Sequence, residues 1–168
     1  VNAVFNKYAS DRQPHNISRI LPSIEIDGKY KVRLVYDLDT NDPTYDLEYA
    51  EYHLRSIQSL GIVKSERFDY SFKYEDRTRI NELKEKSSSD DIIIAIDNQI
   101  TDGSYFNLAF WDGSIWVTPD TPLLAGVRRT QLLEENEIQE RRISIEDISS
   151  FQKVSLINAM LDLGDIEL

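Results

Sequence analysis

Residues 91–97 read Asp-Ile-Ile-Ile-Ala-Ile-Asp. Four isoleucines in so short a run predict a strand buried in a core. A chain with such a strand must supply other elements to cover it. The neighbouring sequence does so with short segments of changing period. Residues 30–37 alternate as a strand, with Val32, Leu34 and Tyr36 on one face, and 47–57 form a second, less regular strand. Residues 77–86 have helical spacing, with Ile80 and Leu83 inward. Asp112-Gly113 between apolar runs predicts a hairpin over 107–117 with a two-residue primed turn. Residues 127–136 read as a helix, 138–143 and 154–160 as strands, and Ser144 to Asp147 as a capping box opening a short helix that ends near Phe151. Residues 38–45 form a polar loop, and Pro119 and Pro122 mark a rigid one. Strands and helices alternate but several links are hairpins, so the fold class is α+β and not a doubly wound parallel sheet.

At 168 residues the chain allows one large domain or two small ones, and a 40% hydrophobic fraction is enough for a packed core. The net charge of −11 argues against a nucleic-acid surface or an anionic membrane, because phosphates would be repelled. The absence of cysteine excludes disulfides and thiolate metal sites and suits a reducing cytoplasm. Two histidines, His15 and His53, make a histidine metal site or a triad improbable, and no metal is expected. No apolar run reaches the length of a membrane span and no signal peptide opens the chain. The chain starts at Val1, and Val1, Val4, Phe5 and Tyr8 look like the tail of a helix whose start is missing. A short helical turn follows around 17–21, and residues 56–64 read as the passage between two lobes.

The residues with chemical potential follow one another from Lys73 to Met160. Lys73 stands among Tyr70, Phe72 and Tyr74, where apolar surroundings would make a lysine a better amine nucleophile, or where it is simply a strand-edge lysine beside aromatics. A lysine can hold an aldehyde as a Schiff base. Thr101-Asp102 follows, with Asn107 five residues after Asp102. A carboxylate there can keep a pyridine nitrogen protonated, or Asp102-Gly103 can be a turn pair. After Thr118-Pro119 comes Gly126-Val127-Arg128-Arg129, where a glycine opens a helix. The free N–H groups of Val127 and Arg128 can receive a phosphate there, or Gly126 can act only as a cap. Asn158, in Ile-Asn-Ala-Met, contacts either substrate or loop backbone.

In order and spacing these parts resemble the class IV aminotransferases, the pyridoxal-phosphate (PLP) family that includes branched-chain and D-amino-acid aminotransferases and 4-amino-4-deoxychorismate lyases. The resemblance covers roughly 30–168 and is densest from Lys73 onward. It implies a two-lobed type IV fold with an incomplete small α/β lobe over 1–57 and a larger pseudo-barrel, PLP-binding lobe over 58–168. It implies Lys73 as the Schiff-base lysine, on a strand entering the second lobe, and Asp102, Asn107, Gly126, Val127, Arg128 and Asn158 around the cofactor. Arg77 matches the arginine often found four residues after that lysine, or lies in a solvated first helical turn. Asp102 stands where the family usually has Glu, and Arg128 where it usually has Thr; Arg128 then either supplies charge to the phosphate or points to solvent. The family's phosphate-binding His-x-x-Arg is not matched by His15 and Arg19, which are spaced His-x-x-x-Arg, so that motif is expected before Val1. The resemblance further implies a homodimer acting on a small amine. The short Lys-to-carboxylate spacing and the Asn-Ala ending lean towards a lyase that releases pyruvate and gives 4-aminobenzoate, a folate precursor. The alternatives are a branched-chain or D-amino-acid aminotransferase and a non-catalytic homologue that binds a small molecule.

Overall fold

The computed structural model describes residues 27–36 and 45–168. The helical patterns over 1–10 and 17–21, most of the loop over 38–45, and His15 and Arg19 lie outside the described residues. The chain divides into two compact units, Val1–Arg55 and Ser56–Leu168.

In the first unit β1 (Tyr30–Tyr36) pairs antiparallel with β2 (Tyr45–Glu51), from Tyr30 opposite Glu51 to Tyr36 opposite Tyr45. Cross-strand partners Arg33 and Glu48 also form an ion pair at 3.0 Å. The second strand ends at Glu51, short of the span expected over 47–57. Residues 52–59 have no regular structure.

The second unit opens with a strand the sequence did not disclose. β3 (Leu60–Ser65) overlaps the stretch expected to be a passage and runs parallel to β4 (Asp91–Ile96). Only Val63 of its side chains is buried, so its apolar pattern is weak. Gly61 is needed there for space, since a Cβ would overlap the Ser87 hydroxyl. β4 is buried along its whole length, as its isoleucines require. Helix α1 (Thr78–Lys84) covers it with Ile80 and Leu83. That helix is started by Asp76, whose Oδ1 accepts the Thr78 N–H at 2.9 Å. Leu83, Val63, Ile92, Ile94 and Ile96 form one core cluster.

β4 turns back into β5 (Gln99–Gly103) through Asp97-Asn98, both at positive φ (50° and 65°). That is a two-residue primed hairpin turn, with residues that tolerate the left-handed region. Two steps along β4, from Ile93 to Ala95, match three along β5, from Gly103 back to Ile100. The extra residue falls at Thr101-Asp102. A bulge of this kind redirects a side chain. Thr101 Oγ1 donates to the Ile94 carbonyl at 2.9 Å and satisfies an acceptor beside the interrupted ladder.

The remaining strands form a second sheet in the order β8-β7-β6-β9, from β6 (Asn107–Trp111), β7 (Trp116–Pro119), β8 (Ile138–Arg141) and β9 (Lys153–Ile157). The β7–β8 pair is parallel and the others antiparallel. The hairpin at Asp112-Gly113 exists, but its loop has four residues, because Trp111 pairs with Trp116. Asp112 Oδ1 accepts the N–H groups of Ser114 and Ile115, both at 3.0 Å, and this side-chain turn replaces the primed one. Helix α2 (Val127–Glu134) ends with Asn136 at φ 59°, and the Glu137 N–H reaches the Leu132 carbonyl at 2.9 Å. Leu132 packs with Ala109, Ile138 and Ile157 in a second core cluster. The segment Glu146–Ser150 is a 3-10 helix. At its start Asp147 accepts from both the N–H and the hydroxyl of Ser144, which makes one arm of a capping box. Mixed sheets with few helices make the α+β class plain. No helix among the described residues is long and apolar enough to cross a membrane.

Candidate active site

The bulge at the end of β5 delivers Asp102 into a buried polar network. Asp102 Oδ1 accepts from Asn107 Nδ2 at 2.7 Å, and Oδ2 accepts the Leu124 N–H at 2.9 Å. Asn107 Nδ2 also donates to the Leu124 carbonyl at 2.8 Å. One amide therefore ties the first residue of β6 to both the acid and the loop before α2. Burial pushes the Asp102 carboxyl up to about 6. The hydrogen bonds from Leu124, Asn107 and Leu123 and the charge of Arg129 work against that rise. Among the described residues no cation forms an ion pair with Asp102. The two carboxylate oxygens offer four lone-pair sites, and the Leu124, Asn107 and Leu123 donors take all but one. A protonated pyridine nitrogen would supply a positive donor to this buried acid. The site thus fits the ring of PLP, even with Asp where the family usually has Glu.

Gly126 precedes α2 with φ −66° and ψ 146°. Any residue can adopt that conformation, so the glycine serves space alone. A Cβ on Gly126 would overlap Asn107 Oδ1. The first bond inside α2 runs from the Thr130 N–H to the Gly126 carbonyl at 2.9 Å. The N–H groups of Val127, Arg128 and Arg129 precede that ladder, which is the chemistry a phosphate needs. The Val127 side chain is 81% exposed. Arg128 turns neither to this end nor to open solvent. Its guanidinium donates through Nε and Nη2 to Asp162, and Nη1 lies 3.6 Å from Glu135.

Arg129 is buried, and its Nη2 donates to the Pro119 carbonyl at 2.9 Å and to Glu140 at 2.6 Å. It braces the end of β7 against β8, and its charge reaches Asp102. The sequence had shown it as part of a run without giving it a role. Leu124 was missed altogether, since it acts through its backbone, which leaves no side-chain signal.

Lys73 lies in an irregular segment, not on a strand, and its side chain is exposed. The flanking aromatics pack on one another. Tyr70 and Tyr74 rings are 6.0 Å apart and Phe72 and Tyr74 rings 6.4 Å apart, both edge-on. The desolvated lysine expected from those neighbours is therefore not found in this structure. The segment does reach the Asp102 region. Arg77 Nη2 donates to the Ser104 carbonyl at 2.6 Å, two residues beyond Asp102. Burial raises the Tyr70 phenol, with Arg77 lowering it and Asp102 raising it further.

Asn158 follows β9. Its Oδ1 accepts the N–H groups of Met160 and Leu161 at 2.7 and 3.0 Å, and its Nδ2 donates to the Tyr105 carbonyl at 3.2 Å. Of the two roles open to it, loop backbone is the one observed. The structure thus joins Asp102, Asn107 and Gly126, sets the α2 N-terminus one residue on, and leaves Arg128 and Asn158 with partners of their own.

The profile of the family described as Amino-transferase class IV matches residues 71–167, which contain this whole arrangement. An uncharacterized protein of Haemophilus influenzae is 42% identical over 124 residues. That alignment takes in 73% of this chain and 66% of the relative, just under two thirds of its length. A crystal structure from Haemophilus somnus 129PT, described as a candidate 4-amino-4-deoxychorismate lyase, is 31% identical with a TM-score of 0.84. It covers 96% of this chain and 85% of its own. The PLP-bound form of a hypothetical aminotransferase from Mycobacterium tuberculosis is 16% identical, with a TM-score of 0.69 over 81% of this chain and 59% of its own; it shares the fold.

Proposed function

The chain belongs to the class IV amino-transferase family, and from that premise we propose that it is part of a PLP-dependent lyase that acts on an aminodeoxychorismate-type amine and releases pyruvate. The observation that carries the cofactor reading is the buried Asp102, held by Asn107 and Leu124 and without an ion-pair partner among the described residues. The similarity to the H. somnus protein supports the lyase reading over others.

Bound PLP supplies an aldehyde for the substrate amine and a pyridinium ring that withdraws electrons. The chain's own residues would do the rest. Asp102 would accept the hydrogen bond from the ring nitrogen and hold the proton there. Asn107 would keep the carboxylate aimed, and the N–H groups of Val127 and Arg128 would take the phosphate. The Lys73 amine would anchor the aldehyde and, once displaced, carry protons at Nζ. The reading includes a homodimer, as the resemblance implies. An aminotransferase is the second reading, favoured by the family match itself.

The full-length protein with PLP and aminodeoxychorismate should yield pyruvate and 4-aminobenzoate with no added keto acid. Rapid conversion of the cofactor to its amine form by glutamate or a branched-chain amino acid would establish the aminotransferase instead.

A further inference from the structure

Arg67, Arg79, Arg128, Arg129 and Arg141 each pair with an Asp or Glu. Among the described residues no carboxylate pairs with Arg77 or with Arg142, but Arg142 is exposed and donates to Gln99 Oε1, whereas Arg77 is half-buried beside the site. Its side chain is half-buried, and among the described residues its one hydrogen bond is the 2.6 Å contact from Nη2 to the Ser104 carbonyl. A half-buried guanidinium with a single neutral acceptor has four N–H donors left.

Its position is fixed from both ends. The Arg77 carbonyl accepts the Asn81 N–H at 2.9 Å and so starts the hydrogen bonds of α1. The Ser104 contact crosses to the link between β5 and β6, beside the acid of the site. Lys73 lies four residues earlier, and the Tyr70 phenol senses both Arg77 and Asp102. A cation held in place, with no anionic partner among the described residues and next to the proposed amine-handling site, is suited to a planar, bidentate anion.

We infer that Arg77 recognises the carboxylate of the substrate, so that the site selects small amines carrying a second, acidic end. The inference rests on the proposed amine chemistry of the site. It concerns a carboxylate and not the cofactor phosphate, for which the N-terminus of α2 already offers free N–H groups. Ser104 acts here through its carbonyl as a positioning residue, by holding the guanidinium in a fixed plane.

Calorimetry on the full-length protein, with 4-aminobenzoate, 4-aminobenzamide and inorganic phosphate as probes, tests it. Wild-type protein should prefer the acid to the amide. Arg77→Gln should weaken the acid roughly tenfold or more, while leaving the amide and phosphate within about twofold. Arg77→Lys should recover part of the loss, because it keeps the charge and loses the fork. Wild-type protein that binds the acid no better than the amide overturns the inference. So does an Arg77→Gln variant that loses acid and amide together, which is the behaviour of a loop anchor, or one that loses phosphate most. An acid preference that depends on Arg77 in a protein that yields no pyruvate from aminodeoxychorismate would keep this inference and remove the lyase reading.

Discussion

Asn107 Nδ2 stands 2.7 Å from Asp102 Oδ1 and turns a bulged strand end into a fixed acid. The same amide is in contact range of whatever side chain occupies position 126. Ring and phosphate ends of the proposed cofactor site therefore share one asparagine.

Asp102 should titrate near 6 in the apoprotein, above the usual carboxylate range, because burial disfavours its charge. Bound PLP should bring that value down, since a positive ring nitrogen favours the ionised acid. Carboxyl-carbon NMR on labelled protein reads both states. The sign for stability follows from a folded value above the unfolded 3.8. This group's contribution is most favourable below about pH 3.8 and declines as pH rises to about 6, by on the order of 3 kcal/mol in all.

Asn107→Leu should push the Asp102 carboxyl higher still, because a buried carboxylate loses a donor. The apoprotein should lose roughly 2 kcal/mol more at pH 7.5 than at pH 4, where the acid is protonated and neutral. Urea unfolding at the two pH values measures the difference. Equal losses would mean that Asn107 supports the loop and not the acid.

Gly126→Ala should weaken PLP binding while the fold survives. The backbone at 126 already suits alanine, so the damage comes from displacing the Asn107 amide. Leu124 should then show faster amide exchange, since its N–H is bonded to Asp102. Unchanged cofactor affinity would reduce Gly126 to a plain helix start.

Asp162→Asn should strengthen phosphate binding severalfold at low salt, with less effect at high salt. It removes a negative charge near the N-terminus of α2 and frees Arg128, which Asp162 now holds. Calorimetry with inorganic phosphate decides it, and weaker binding would show that the pair itself builds the site.

Much of this was legible in the chain. The isoleucine run gave β4, and the pair Ile80 and Leu83 gave α1, because buried faces leave a periodic mark. The spacing of Asp102, Asn107 and Gly126 pointed to residues that do meet. What escaped lies in backbone events. β3 has one buried side chain and so no clear period. The Asp97-Asn98 turn lacks the usual glycine. The bulge that aims Asp102 is a slip of register, and Leu124 acts through its N–H. Arg128 reads as a phosphate ligand until Asp162, 34 residues later, is seen to hold it.

Borohydride reduction of the full-length protein with PLP, followed by peptide mapping, tests the central claim most directly. Lys73 should carry the label, and Lys73→Ala should abolish it with the fold intact. Label on Lys64, on Lys86, or on Lys84, which now pairs with Asp91 at 2.9 Å, would contradict the account and detach every other site residue from its role.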